Sequence, residues 1–282
     1  DKTVRLIEGG KIVALKGIGG FHLMCDAQNI DAVETLRRNK LREKKPFAVM
    51  FRDIHTLRRY ALINQEEEAL LMSWRRPVVI LPAIRDLAQG VSSGFPTIGA
   101  MLPYTPFHHL FFERVALDAV VLTSGNLSDE PIVISNEEAI LLFGSWCGGI
   151  LVYNREIYNR NDDSVVTVVN GKERIIRRSR GYAPLPIKVM NDVEGIMAAG
   201  AELVNCFAVG RRNYVFLSQH IGDLKNFETY AFYRESFDRF LHLFRVRPRL
   251  IAADLHPDYL STQYAHETGL PVVRIQHHHA HI

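Results

Sequence analysis

Short β-branched runs closed by turns, interleaved with helix-period segments in no regular order, constrain the fold of this chain more than any other feature. Residues 11–16 (KIVALK) lead into Gly17-Ile18-Gly19-Gly20, a strand entering a turn. Residues 47–50 (FAVM), 77–81 (PVVIL) and 119–122 (AVVL) predict three more strands, the last running straight into Thr123-Ser124-Gly125-Asn126. Residues 165–169 and 174–178 flank Asn170-Gly171, the strongest short hairpin signal in the chain. Residues 29–38 have helical spacing with Ile30, Val33 and Leu36 on one face, and residues 65–74 predict a second helix. An α/β domain built on a mixed, twisted sheet accounts for this order.

The stretch Gly181-Tyr182-Ala183-Pro184-Leu185-Pro186 is rich in turn formers and marks a domain boundary. Two domains are therefore expected, over residues 1–187 and 188–282. In the second, residues 195–199, 206–209 and 214–217 predict successive strands. Residues 226–246 predict a long amphipathic helix bearing Phe227, Phe237, Phe240, Leu241 and Phe244. A strand over 250–253, a short helix after Asp258 and a strand over 272–275 follow. This is the opening of another α/β domain, and about 90 residues are few for finishing one. The chain starts at Asp1 rather than Met and stops at Ile282 beside a histidine cluster, so a piece of a longer protein is expected.

Bulk properties limit the function classes. A formal charge of +3 over 282 residues is too small to indicate nucleic acid, and no nucleic-acid partner is expected. Cys25, Cys147 and Cys206 are odd in number and far apart, without a Cys-x-x-Cys pair. They suggest neither a disulfide framework nor a cysteine-based zinc site, and reduced thiols point to a cytoplasmic protein. No apolar run reaches the ~18–20 residues of a membrane span, and no signal peptide is visible.

Charge is concentrated locally instead. Residues 37–45 (RRNKLREKK) hold six basic residues in nine, between a helix and a strand. Such a run is commonly a solvated helix face. Here Lys40-x-Arg42 is followed by Lys45-Pro46-Phe47, where proline fixes the backbone. Cations on a rigid turn suit a triphosphate, lysine as a point charge and arginine as a fork. Ser124-Gly125-Asn126, at the end of a buried strand, can aim a hydroxyl, an amide and backbone N–H groups at one anion. Alone it is equally a plain turn. His22, His108 and His109 sit where histidines are more often structural than catalytic. In residues 276–281 (QHHHAH), His277 and His281 lie four apart, the helical spacing that brings two imidazoles to one metal. An affinity tag would not carry Ala280 inside the run or follow a natural strand.

Taken together, Lys40-x-Arg42, Lys45-Pro46, Ser124-x-Asn126, Asp163-Ser164-Val165-Val166 and Arg180-Gly181 resemble the YrdC/Sua5 family, which adenylates carbamate-type groups with ATP. The longer words KGIGGFHLMCDA, LPYTPFHHLFF, TSGNLSDEPI, NRNDDSVV and RRSRGYAPLPI resemble the version of that domain found in the HypF family. GAEL, FLSQHIGDL, DLHPDYLST and QHHHAHI resemble the start of the actin/Hsp70-like (ASKHA) carbamoyltransferase fold that follows it.

The resemblance implies an α/β chain: a YrdC-like twisted mixed-sheet domain, then the first part of an ASKHA-type domain. It implies that carbamate derived from carbamoyl phosphate attacks ATP, giving carbamoyl-adenylate and pyrophosphate. The carbamoyl group then passes to the C-terminal cysteine of HypE, for the cyanide ligands of [NiFe] hydrogenase. Lys40, Arg42 and Ser124 would be catalytic, and Lys40, Arg42, Lys45, Ser124, Asn126 and Arg180 would bind the nucleotide. Lys16 would line the same pocket. Mg²⁺ is expected with ATP, with Asp162 or Asp163 as candidate ligands, and Fe or Zn at His277 and His281. One departure stands out: Val204-Asn205 follows Glu202-Leu203, where the family usually has Lys-Asn. That puts a lysine contact to nucleotide or substrate in doubt here. The rival is a threonylcarbamoyl-AMP synthase of tRNA modification, which shares Lys-x-Arg and Ser-x-Asn but not the longer words.

Overall fold

The computed structural model describes residues 1–42, 44–127 and 130–282. Glu43 of the basic run, and Ser128 and Asp129 of TSGNLSDEPI, lie outside the described residues. Two compact units are present, one closing at Gly181 and the other running from Tyr182 to Ile282 with a short piece ending at Pro131.

The first unit begins with α1 (Lys2–Glu8), β1 (Val13–Lys16), β2 (Phe21–Asp26), α2 (Ile30–Asn39), β3 (Ala48–Phe51), α3 (Ile54–Leu57) and α4 (Gln65–Met72). It continues with β4 (Val78–Pro82), β5 (Thr97–Met101), α5 (Pro106–Arg114), β6 (Ala119–Ser124), α6 (Asn136–Phe143), β7 (Gly149–Leu151), β8 (Val165–Val169) and β9 (Lys172–Arg177). Its strands form one mixed sheet in the order β7-β1-β2-β6-β3-β5-β4-β8-β9. The central strands are buried on both faces, which is why 119–122 reads as a continuous apolar run. One face packs Leu15, Met24, Met50, Val120 and Leu122 against Val4 and Ile7 of α1 and Phe111 and Phe112 of α5.

Helix starts follow local chemistry. The Asn29 side chain accepts from Ala32 N at the head of α2, and Asn64 with Glu67 forms a capping box at α4. Thr105 caps α5 with Pro106 at its first turn, so the apolar run after His108 is a helix.

One helical face differs from the sequence expectation. Helix α2 buries Ala32, Val33 and Leu36, whereas Ile30 is 49% exposed. At 3.6 residues per turn Ile30 lies roughly 110° from the centre of that arc, so it misses the sheet.

The second unit comprises β10 (Pro186–Lys188), β11 (Ile196–Ala198), β12 (Ala208–Arg211), β13 (Tyr214–Leu217), α7 (Phe227–Phe244), β14 (Leu250–Asp254), α8 (Leu260–Glu267), β15 (Val272–Ile275) and α9 (His277–Ala280). The sheet order is β10-β13-β12-β11-β14-β15, with parallel pairing of β11 to β14 and β14 to β15. Phe207, Tyr233, Phe237, Phe240 and Tyr264 fill its core between α7, α8 and the sheet. Phe227, at the first position of α7, points away from that core and is 78% exposed. No helix among the described residues is long and apolar enough to cross a membrane.

Val204 adopts a left-handed backbone, φ 52°, although it is β-branched and exposed. Such a conformation costs a β-branched residue on the order of 1–3 kcal/mol, and asparagine much less. Val204→Asn is therefore expected to stabilise the second unit by about 1 kcal/mol in urea denaturation. An unchanged midpoint would remove strain as the reading of this turn.

Candidate functional site

The site in the first unit is assembled where β6 ends. Antiparallel pairing of β2 with β6 sets His22 opposite Ser124, the last residue of β6. Gly125 N then donates to Phe21 O at 2.6 Å. A Cβ at Gly125 would stand 2.8 Å from that same oxygen, so only glycine lets the turn lie this close to β2.

Lys40 enters this turn from the end of α2, where it is the C-cap residue. It is 1% exposed, and its Nζ donates to Ser124 O at 2.6 Å, Asn126 O at 2.6 Å and Asn126 Oδ1 at 2.9 Å. Ser124 Oγ donates to Asn126 Oδ1 at 2.8 Å, which closes the cluster. A buried ammonium is stable only when its donors are satisfied, and here oxygen acceptors surround it. Lys40, Ser124 and Asn126 thus meet in space, as the two sequence motifs together require.

Arg42 stands beside them. Its guanidinium donates to Pro46 O at 2.6 Å and to Lys45 O at 3.2 Å, reaches Thr123 Oγ1 at 3.4 Å, and lies over the Phe47 ring. The proline-fixed turn therefore aims the arginine fork along the end of β6. Lys45 itself is exposed and contributes its carbonyl. A cleft of about 220 Å³ opens here, lined by Arg42, Phe47, Thr123 and Ser124, with Asp162, Asp163 and Arg177 among the others. Its apolar walls include Val78, Ile80, Leu122 and Val165.

Arg180 is held differently from the other expected cations. Its Nε and Nη2 donate to Asp163 Oδ1 at 2.9 and 2.7 Å, and its remaining donors reach Arg75 O and Arg76 O, both at 2.9 Å. It also stacks 3.7 Å from the centroid of the Tyr104 ring. His22 Nε2 lies 3.2 Å from Asp163 Oδ2. Burial alone would push the Asp163 carboxyl up, but Arg180 and the His22 hydrogen bond outweigh it and hold the group well below the usual carboxylate range. Sequence reading named Asp163 and His22 singly, without this triad. The juxtaposition of Asp163 with an Arg-Gly downstream was the available signal.

His22, Asp162 and Asp163 bring ligand atoms within 4.8 Å of one another. They do not fit a cation well. Both oxygens of Asp163 are engaged by Arg180 and His22, and Asp162 Oδ2 accepts from Arg177 at 2.8 Å. A magnesium ion keeps several waters and binds largely through substrate phosphates, so it does not need these carboxylates. Lys16, expected in the same pocket, turns to Tyr153 and is not among the residues lining this cleft.

His108 is buried and its Nδ1 accepts from Tyr104 N at 3.4 Å, whereas His109 is exposed. Burial, reinforced by neighbouring His22, lowers the His108 pKa from 6.5 to about 3. The unfolded chain therefore takes up this proton first as pH falls. The stabilisation is complete above pH 6.5 and is lost toward pH 3. Unfolding free energy is expected to drop on the order of 2 kcal/mol between pH 7 and pH 5, and less in His108→Asn. Equal slopes for the two proteins would refute this assignment.

In the second unit, β14 and β15 end side by side, with Asp254 paired to Ile275, and α9 starts just beyond. Gln276 Oε1 caps α9 by accepting from His278 N and His279 N. His277 Nδ1 donates to Asp254 Oδ2 at 2.6 Å, which leaves Nε2 as the free lone pair. His281 Nε2 lies 3.2 Å from His277 Nε2. Two nitrogens bound to one tetrahedral ion at about 2.0–2.1 Å stand roughly 3.3 Å apart, so the pair fits a metal. Asp254 is the orienting carboxylate that sequence reading missed.

Both units resemble known proteins. The Sua5/YciO/YrdC family model, described as "Telomere recombination", matches residues 5–179, and the HypF Kae1-like domain model matches residues 191–282. A carbamoyltransferase HypF of Rhizobium leguminosarum is 42% identical over 98% of this chain, which spans 37% of that relative. A full-length HypF crystallised in its phosphate- and nucleotide-bound form superposes with TM-score 0.96 at 47% identity, covering all of this chain and 45% of that one. Pyrococcus abyssi Sua5 complexed with L-threonine superposes with TM-score 0.58 at 14% identity, over 98% of this chain and 95% of that one, a likeness of fold alone.

Proposed function

The chain belongs to the HypF carbamoyltransferase family, and on that premise we propose that its first unit makes carbamoyl-adenylate from carbamate and ATP. The observation that carries the reading is the closed Lys40–Ser124–Asn126 cluster with the Arg42 fork beside it. A carbamate oxygen attacks the α-phosphorus, the bond from that phosphorus to the bridging oxygen breaks, and pyrophosphate leaves with the electron pair. Charge grows on the departing phosphates, and the Arg42 fork stabilises it, while Lys40, its three donors engaged by Ser124 and Asn126, holds that turn in place and adds its field. Ser124 and Asn126 orient the nucleotide phosphate. Lys45, exposed on the same turn, meets the outer phosphates, and Mg²⁺ arrives with them. Arg180 does not line the cleft; paired to Asp163, it fixes a carboxylate that does.

The second unit, as the start of an ASKHA-type domain, supports the later step in the whole protein. There the carbamoyl group would pass from the adenylate to the C-terminal cysteine thiolate of HypE, releasing AMP. His277 and His281 would hold Fe or Zn, which as a Lewis acid would polarise the carbamoyl oxygen. Asp254 keeps the His277 proton on Nδ1 and so its Nε2 available.

Radiolabelled pyrophosphate exchange into ATP tests the first step. Exchange is expected with ammonium carbamate and not with threonine plus bicarbonate. Exchange with threonine alone would overturn the reading in favour of a threonylcarbamoyl-AMP synthase.

A further inference from the structure

Arg37 opens the basic run of residues 37–45 but is not among the residues that line the cleft. Its contacts converge on a neighbour that does line it, Arg42. Helix α2 ends in a left-handed residue, Leu41 at φ 52°, which turns the chain back so that Arg42 N donates to Arg37 O at 3.1 Å. The Arg37 side chain completes the grip, its Nη1 donating to Arg42 O at 2.7 Å. The backbone N–H and C=O of Arg42 are thus both held by one residue, five positions upstream.

The same guanidinium also fixes where the Arg42 side chain leads. Arg37 Nη1 and Nη2 each donate to Lys45 O at 3.3 Å, the carbonyl that accepts from Arg42 Nε at 3.2 Å. Arg37 Cζ lies 4.6 Å from the centroid of the Phe47 ring, and Arg42 Cζ lies 5.1 Å from it. Arg37 Nη2 also donates to Gly90 O, while Phe47 N donates to Val91 O at 2.9 Å. The turn is therefore tied to the segment before β5 at two adjacent points. A planar fork with five donors in fixed directions can join the carbonyls of residues 42, 45 and 90, whereas a single ammonium point does not span them.

We propose that Arg37 is the positioning residue for the Arg42 fork. It sets the turn between α2 and β3 so that the Arg42 guanidinium meets the phosphates, and it touches no substrate itself. The inference rests on the adenylation reading above, and adds to it the residue that pre-orients its arginine. Lys40 is placed by its own bonds to Ser124 and Asn126, so the arginine needs a separate anchor. Ordering a long, flexible side chain costs entropy, and here that cost is met on folding, before the nucleotide binds.

The test is a double-mutant cycle in the 282-residue chain, read in pyrophosphate exchange at saturating ATP. Arg37→Met is expected to lower exchange about tenfold or more, because a small misplacement of a catalytic group is costly. In an Arg42→Ala background the same substitution is expected to change exchange by less than about twofold, since the group it positions is gone. Equal losses in the two backgrounds would mean a purely structural role and would overturn the proposal. Arg37→Lys keeps the charge without the fork and is expected to lose exchange as Arg37→Met does. It carries the cycle should the methionine variant fail to fold, and wild-type exchange in either variant would overturn the proposal too. Calorimetric binding of magnesium pyrophosphate to the same proteins supplies a readout that needs no adenylation. Binding without exchange in the wild type would overturn the adenylation reading alone. The positioning role would then be upheld if the affinity lost in Arg37→Met depends on Arg42, and overturned if it does not.

Discussion

Pyrophosphate exchange is expected to fall by about 10²–10³-fold or more in Lys40→Ala, the scale on which preorganised charge acts on a transition state. The variant also removes a donor from Ser124 O, Asn126 O and Asn126 Oδ1, all drawn together by one buried ammonium. Ser124 O keeps its bond from Asn126 N and Asn126 Oδ1 keeps Ser124 Oγ, yet loss of these three charge-assisted bonds will make the variant less stable as well. Ser124→Ala separates the two effects. It deletes a single hydroxyl whose bond is to Asn126 Oδ1, and Lys40 keeps all its acceptors. Its denaturation midpoint is expected to stay near that of the wild type while exchange collapses. Normal exchange in a folded Ser124→Ala or Lys40→Ala protein would discredit this site.

Asp163→Asn is expected to destabilise the first unit by about 3–5 kcal/mol, because breaking one partner of a buried pair strands the other charge. Asp163 and Arg180 have side chains 8% and 13% exposed, and Asp163 also receives His22. The loss is read by urea denaturation at pH 7. Arg180→Met added to Asp163→Asn should return part of it, since the double variant buries no lone charge. A loss below about 1 kcal/mol would mean that the pair is surface-like and contributes little. The pH dependence carries the same sign. The folded carboxyl titrates below its unfolded counterpart, so its stabilisation is complete above about pH 4 and disappears as pH falls further.

The arginine next to Asp163 shows where sequence reading was incomplete. Arg180 read as one more phosphate cation, but two backbone carbonyls and Asp163 occupy its donors. Lys16 was grouped with the nucleotide pocket, and the structure sets it one strand beyond β2 against Tyr153. Ile30 and Phe227 matched helical periodicity but lie at helix starts, where the first residue can fall outside the arc facing the core.

Local chemistry alone determined much of this protein. Runs of β-branched residues gave strands, Asn29, Asn64 and Asn226 began helices through their side-chain acceptors, and Asn170-Gly171 turned β8 into β9. The spacing of His277 and His281 likewise brought two imidazoles together, because one helical turn is a local property. Tertiary structure decided the rest. Lys40 meets Ser124 and Asn126 across 84 and 86 positions, and His22 meets Asp163 across 141. Those meetings depend on β6 inserting between β2 and β3 and on a register that sets His22 opposite Ser124. Periodicity states which face of a strand is buried; it carries no information about which distant strand will lie beside it.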